Sequence, residues 1–361
     1  MPIAIDDLRR FAVSRTFFSV TLPRAIDRLG FVQADPIRSP ARAQDLILRH
    51  RVSGYRAGDL ERRYEAAGVE EDVLVNYGFV PRAVQALMQP RGLTWRWSAT
   101  RRKRARALLE FVRERGSAHP REVDEHFAHG TVTNYWGGSS NATTHLLEAM
   151  HYAGLLRVAR REAGIRIYAA VEYPPPPRDG AGRRARIDAL VDVAVGTYAP
   201  LPGASLSALV GRLRYAVPRW RGDLRQAVQR ARERLAHARV DGIDWYWPEA
   251  ERLANDPPPD KVRLLAPFDP GVWDRRRFRL LWDWEYRFEA YTPPAKRKIG
   301  YYALPLLWRD QMIGWGNLAV KAGTLQASFG YVQGRAPDDS AFSRELEAEL
   351  ERVRQFLELG R

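Results

Sequence analysis

The order of elements between residues 91 and 175 constrains this chain more than any other feature. A basic run, Arg101-Arg-Lys-Arg-Ala-Arg106, lies on a helix that reaches about Arg115, and Gly116-Ser117 then breaks the chain. A second short helix covers residues 119–127. A third runs from Ser139 and is closed by Gly154. Residues 155–170 alternate as two strands around Glu162-Ala-Gly164. Three helices and then a hairpin is the order of a winged helix-turn-helix. In that arrangement the third helix enters the major groove and the hairpin, residues 160–166, is the wing.

The flanking segments fall into three further units. Residues 1–90 read as a helix from Ile5 and a short helix from Leu22 closed by Gly30, followed by an extended stretch, Phe31-Val32-Gln33-Ala34-Asp35. Ser39-Pro40 then reads as the opening of a helix through about Val52, and residues 60–68 as another. Pro174–Pro177 is a linker, after which residues 181–255 are mostly helical, with one helix over 226–238 and an aromatic strand over 243–247. This reads as a degenerate third winged helix. A second linker, residues 255–259, precedes short strands at 262–268, 288–291, 301–307, 312–320 and 324–329, the pattern of a small antiparallel sheet or barrel. A closing helix over 338–359 keeps Phe342, Leu346, Leu350, Val353 and Leu357 on one side. Residues 134–140, rich in Gly and Ser just ahead of the third helix of the 91–175 unit, suit close backbone approach to a partner such as DNA.

Charge narrows the partner. The net charge of +15 over 361 residues favours a polyanion. Only five of the 58 basic residues are lysines, Lys103, Lys261, Lys296, Lys298 and Lys321; the arginine excess reads mainly as compositional bias. Cysteine is absent, which removes disulfides, thiolate metal sites and thiol nucleophiles. The N-terminus has no basic and then apolar signal pattern and no apolar run is long enough to span a bilayer, so a cytoplasmic, nucleoid-associated protein without membrane contact is expected. His126 and His129 have chelating spacing but no nearby carboxylate or open pocket, so no metal is expected, and no phosphate-binding or dinucleotide loop points to a cofactor.

On a strand, Gln33 and Asp35 share one face while Val32 and Ala34 share the other. Taken locally, the triplet is an ordinary strand end, with Asp35 capping a turn at Pro36. Its alternative reading is an amide and carboxylate pair for cleaving a bond at a sugar carbon.

Distant motifs bear on that choice. Gln33-Ala34-Asp35 resembles the Gln-x-Asp motif of the YcaQ/AlkZ-like winged-helix DNA glycosylases, in the form of the YcaQ-like branch. Phe79-Val-Pro-Arg82, Leu265-Ala-Pro-Phe-Asp-Pro-Gly-Val-Trp-Asp-Arg275 and the stretch from Tyr286 to Leu307 are similar to further signatures of that family. One position departs from it: Val75-Asn76 stands where the family has a His-Glu pair.

The resemblance implies an α+β fold of tandem winged helix-turn-helix modules, at 1–90, 91–175 and 181–255, followed by a small C-terminal antiparallel β-barrel with a helix at 260–361. It implies a DNA N-glycosylase that removes N7-alkylated purines, including crosslinked ones, from double-stranded DNA; with no lysine near residues 33–35, the first being Lys103, a monofunctional, hydrolytic reaction is expected. Asp35 would be the base and electrostatic stabiliser, and Gln33 would orient the water or the sugar. Arg38, Arg82, Arg101, Arg102, Lys103, Arg160, Arg161, Lys296, Arg297 and Lys298 are the expected DNA-binding residues. The alternative is a non-catalytic winged-helix regulator, and a monomer is expected in either case.

Overall fold

The computed structural model describes residues 3–133, 139–253 and 257–359. The first unit runs α1 (Ile5–Thr16), α2 (Leu22–Leu29), β1 (Val32–Gln33), α3 (Ala43–Leu48), α4 (Asp59–Arg62), β2 (Val69–Val73), β3 (Tyr77–Pro81) and α5 (Arg82–Met88). The second runs α6 (Ala99–Arg115), α7 (Pro120–Phe127), β4 (Thr131–Thr133), β5 (Ser139–Asn141), α8 (Ala142–Ala153), β6 (Leu156–Glu162) and β7 (Ile165–Ala170). The third runs α9 (Gly180–Tyr198), β8 (Leu201–Pro202), α10 (Gly203–Arg212), α11 (Leu224–Arg234), β9 (Ala236–Val240) and β10 (Ile243–Trp247). The last runs β11 (Val262–Leu264), α12 (Arg275–Trp282), β12 (Leu304–Trp308), β13 (Gln311–Lys321), β14 (Thr324–Tyr331) and α13 (Ser340–Phe356). Positions 134–138 of the stretch ahead of α8 and positions 254–256 at the second linker lie outside the described residues.

One topology recurs. A short strand or single bridge precedes helices and a hairpin, and pairs with the hairpin's second strand: β1-β3-β2 in the first unit and β8-β10-β9 in the third. In the second unit an antiparallel bridge joins Ala118 to Tyr168 of β7. This is a winged-helix-like arrangement. The third unit therefore has a full hairpin. The helix expected to reach Ala238 ends at Arg234, where Leu235 turns extended and the next residues pair with β10.

Other boundaries shift for local reasons. Ser39 and Pro40 lie in a turn, with Ser39 N donating to the Ala41 carbonyl, so α3 begins only after Arg42. Residues 288–291 form no strand, since the Phe288 ring packs against Phe268 and Tyr302.

The expected barrel is an open four-stranded antiparallel sheet, β11-β12-β13-β14. Closure is unnecessary because side chains occupy the free edge of β11. Glu349 on α13 accepts from Leu264 N at 3.0 Å, His50 Nε2 lies 2.9 Å from Leu264 O, and Arg352 donates to Val262 O at 3.1 Å. A covered edge is as satisfied as a paired one.

Two apolar cores run through the molecule. One joins the first, third and last units; the other joins the first, second and last. The strand β1 lies between them: Phe31 belongs to the first core and Val32 to the second. Among the described residues, no helix is long and apolar enough to cross a membrane.

Candidate active site and nucleic-acid interface

The segment carrying Gln33 and Asp35 is held by two close approaches. Gly30 ends α2 with φ 68°, and a Cβ there would lie 2.8 Å from Val193 Cγ1, so glycine lets the chain turn tightly against α9. Strand β1 pairs with β3 in the register Val32–Phe79 and Gln33–Gly78, and Ala34 N donates to Tyr77 O at 3.1 Å. A Cβ on Gly78 would fall 2.3 Å from Val32 O and 2.6 Å from the Phe31 ring. Only glycine allows β1 to sit this close.

Gln33 opens into a cavity of about 470 Å³. Asn76 lines it from the β2–β3 turn, Ser205, Leu209 and Arg212 from α10, and Phe268 and Trp273 from the segment before α12. Gln33 and Ser205 are almost fully buried, and Gln33 Oε1 and Ser205 Oγ have no hydrogen-bond partner among the described residues. Unpaired polar atoms in a buried site are costly, and here two belong to side chains that line one cavity.

Asp35 sits beyond the lining and is half-buried. Its Oδ1 accepts from Ile37 N at 2.9 Å. Burial pushes the Asp35 carboxyl above the ordinary aspartate range, against the smaller pull of the Ile37 N–H. Tyr302 is buried, and its hydroxyl has no hydrogen-bond partner among the described residues. Burial raises the Tyr302 phenol first and the Asp35 charge raises it further, so the two side chains are within electrostatic reach. The Phe288 ring, 5.3 Å from Tyr302 and 5.1 Å from Phe268, bridges the surroundings of Asp35 to the cavity wall. The arrangement offers a carboxylate of raised proton affinity beside a partly apolar cavity with unsatisfied polar atoms.

Val75 is core, 1% exposed, whereas Asn76 lines the cavity, so the departure from the family pattern falls on the cavity itself. Of the C-terminal signature, Trp273, Asp274 and Arg275 reach the lining. The Asp274 carboxylate caps α12, accepting from Arg276 N and Arg277 N. Trp273 also packs on Tyr198 at 4.7 Å, and Arg275 donates to Val272 O and Pro267 O. Asp269 is not in the lining: it is fully buried and grips Arg51 at 2.8 and 3.0 Å. Ser205, Arg212 and Arg276 carry no local sequence signal, since only tertiary packing brings α10 and α12 to Gln33.

The expected DNA contacts divide by exposure. Arg38, Lys103, Lys296 and Lys298 are exposed. Arg101 lies over the Trp97 ring at 4.9 Å, and Arg102 donates to the Trp97 carbonyl. This basic run opens α6 with no acidic residue in the first turn, an arrangement the helix dipole disfavours and a phosphate would relieve. Arg82 is half-exposed and touches Glu70 at 3.3 Å, and Arg160 pairs with Glu162. Arg297 donates to Thr292 O and covers the Tyr301 ring. Arg161 points inward: the register of β6 shifts between Val158 and Arg160, and Arg161 makes a bidentate pair with buried Glu71 at 2.6 and 2.7 Å. Its guanidinium is committed to the fold.

His126 and His129 pack their rings on Phe127, and no group of three metal-ligating side chains occurs among the described residues.

The geometry has a counterpart among known proteins. A family model described as DNA glycosylase AlkZ-like matches residues 26–356. Among solved structures, the DNA glycosylase AlkZ of Streptomyces sahachiroi aligns with a TM-score of 0.64 at 14% identity, covering 100% of this chain and 98% of that one. At that identity the likeness is one of fold.

Proposed function

Since the chain belongs to the AlkZ-like DNA glycosylase family and is a DNA N-glycosylase, we propose that its substrates are N7-alkylated purines in duplex DNA, including those joined in interstrand crosslinks. N7-alkylation makes the base cationic and a good leaving group without protonation. The C1′–N9 bond breaks, its electron pair neutralises the purinium, and a cationic sugar develops. Asp35 stabilises that charge and takes the proton of the attacking water, leaving an abasic site. Gln33 orients the water or the sugar.

The observation that carries this reading is the placement of a half-buried carboxylate of raised proton affinity two residues from Gln33, an almost fully buried side chain that lines a cavity. A base works best with its proton affinity drawn toward the operating pH. The cavity lining holds no lysine among the described residues, which supports hydrolysis over a Schiff-base route. Lys103, Lys296, Lys298 and Arg38 supply phosphate contacts, and the protein acts as a monomer.

The test is a duplex carrying one N7-methylguanine, scored for alkali-labile strand breaks. Wild-type protein should cleave it. Asp35→Asn should lose activity by at least about 10²-fold while binding DNA normally. An Asp35→Asn variant as active as wild type would refute the assignment. A second duplex with an N7-linked crosslink tests the wider substrate range.

A further inference from the structure

We propose that the cleft along the free edge of β11, between the end of α3 and α13, binds a run of two or more linked phosphate groups, carried by a small molecule or by the DNA backbone. The site goes beyond the glycosylase reading and does not rest on it, since the cleft shares no lining residue with the Gln33 cavity.

The cleft has a volume of about 510 Å³. Arg49 and Arg56 line it from the end of α3 and the turn that follows, Lys261 and Arg263 from β11 and the residue before it, and Arg352 from α13. Glu349 is the one carboxylate among the described lining residues. His50 in the same wall stays uncharged, because burial and the Arg49 charge hold it well below 6.5. Five cations therefore stand against one anion, and that anion is already committed. Glu349 accepts from Arg49, from Arg352 at 3.0 Å and from Leu264 N at 3.0 Å.

Among the described residues, the side chains of Lys261 and Arg263 make no hydrogen bond and no ion pair. Arg263 is 8% exposed, with its guanidinium over the Phe17 ring at 4.6 Å. Burial draws that guanidinium down to about 10 against the pull of Glu349, and Arg51 and Arg352 add to the shift. Burial also lowers the Lys261 ammonium, and Arg263 and Arg352 lower it further. A buried cation without a counter-ion is costly, and a fold that keeps two such groups in reach of each other lacks an anion. Lys261 is half-buried and Arg352 keeps 34% of its side chain exposed, so a ligand can reach the cluster from solvent. One phosphate, at roughly −1.5 to −2, neutralises only part of the excess; two or more linked phosphates match it. Arginine forks hold phosphate oxygens in pairs.

The probe is inorganic pyrophosphate, titrated calorimetrically into the whole protein in chloride buffer. Wild-type protein should bind it at one site, with a rise in melting temperature. Lys261→Gln and Arg263→Met should each weaken binding by at least about tenfold. Lys103→Gln, at an exposed cation on α6, should leave it unchanged. Arg263→Met should melt at or above the wild-type temperature when pyrophosphate is absent, because it removes a buried charge that makes no hydrogen bond; a purely structural arginine would give the opposite. If Arg263→Met does not fold, half-buried Lys261→Gln carries the test.

Undamaged duplex identifies the source of the phosphates. Duplex affinity that falls in both variants, with pyrophosphate competing, assigns the site to the DNA backbone. Duplex affinity within about twofold of wild type assigns it to a small polyphosphate such as a nucleotide tail. Asp35→Asn should bind pyrophosphate as wild type does, so this site and the catalytic assignment fail separately. Absence of saturable pyrophosphate binding, wild-type binding by both variants, or an equal loss in Lys103→Gln, which would mark diffuse charge, overturns the proposal.

Discussion

Gly78→Ala should inactivate the enzyme without touching a reacting group. The added methyl would lie 2.3 Å from Val32 O and 2.6 and 2.8 Å from Phe31 ring atoms. A carbon ordinarily approaches a carbonyl oxygen to about 3.3–3.6 Å, so β1 must retreat from β3 by about 1 Å. The nearest obstacle is backbone, which no rotamer change can clear. Overpacking of this kind costs about 1–3 kcal/mol, and a shift of about 1 Å in a catalytic segment costs on the order of 10² in rate. The assay is single-turnover excision of N7-methylguanine, with the melting temperature and affinity for undamaged duplex measured alongside. The expected result is a rate near one hundredth of wild type, a melting temperature only a few degrees lower, and duplex affinity within about twofold. Gly196→Ala, at a helical position with open space around it, is the control and should be neutral or slightly stabilising. A full-rate Gly78→Ala enzyme would refute the claim that the β1–β3 approach sets the active-site geometry.

Asp269→Asn should destabilise the protein by about 3–5 kcal/mol, because it leaves Arg51, 0% exposed, without its counter-charge, whereas Arg51→Met with Asp269→Leu should recover most of that loss; a thermal shift below about 2 °C in the single variant would mean the pair is not desolvated. Acid should destabilise the fold in two stages. Burial, with Arg49 beside His50, holds His50 well below 6.5, and burial also lowers His151, so both resist protonation when folded and stability falls as pH drops below about 6.5. Burial would raise Glu71, but its hydrogen bonds from Arg161 and Tyr77 hold it below 4.5; burial would raise Asp72, but the Arg91 charge and the Gln89 hydrogen bond hold it below 3.8. Their stabilisation is present above those values and is lost as pH falls further. Asp35 and Asp45, both raised mainly by burial, oppose that second stage. Melting temperatures that stay flat from pH 7 to 5.5 would contradict the histidine contribution.

The elements legible in the sequence are those whose cause is local. The 91–175 unit showed because α8 is closed by Gly154 in the left-handed region and the hairpin turns at Ala163-Gly164, both signals within a few residues of what they end. The β2–β3 hairpin was opaque. Its Glu70-Glu71-Asp72 run has the look of a solvated surface, yet all three are buried, because Arg157, Arg161 and Arg91 come from the second unit and its approach to meet them. The strand pattern at the C-terminal end left sheet and barrel open, and what decides for the open sheet is not local: Glu349 covers the edge of β11 from 85 residues away. In the site, the alternation of β1 and the motif drew attention to Gln33 and Asp35. Ser205 and Arg276 had no such mark, because their place in the lining comes from α10 and α12 meeting at one cavity.

Arginine abundance also takes on a different meaning once the junctions are seen. Arg51, Arg91 and Arg277 are 0–2% exposed. Arg91 donates to the carbonyls of Val73, Tyr152, Tyr215 and Ala216 and pairs with Asp72, so one side chain ties three units together. Arg277 donates to Ala199, Pro200, Pro270 and Gly271 carbonyls and joins the third unit to the last. A planar fork with five N–H donors can satisfy several carbonyls at once; a lysine ammonium, more strongly hydrated and with three donors, cannot replace it there. Part of the positive charge is therefore internal fastening rather than DNA-binding surface. The lysines follow the opposite logic. Lys103, Lys296, Lys298 and Lys321 are all exposed, where a mobile, hydrated charge suits phosphate contacts. Arginine at the junctions fastens the units to one another, and with Phe31 in one core and Val32 in the other, the segment that carries Gln33 and Asp35 is held from both faces.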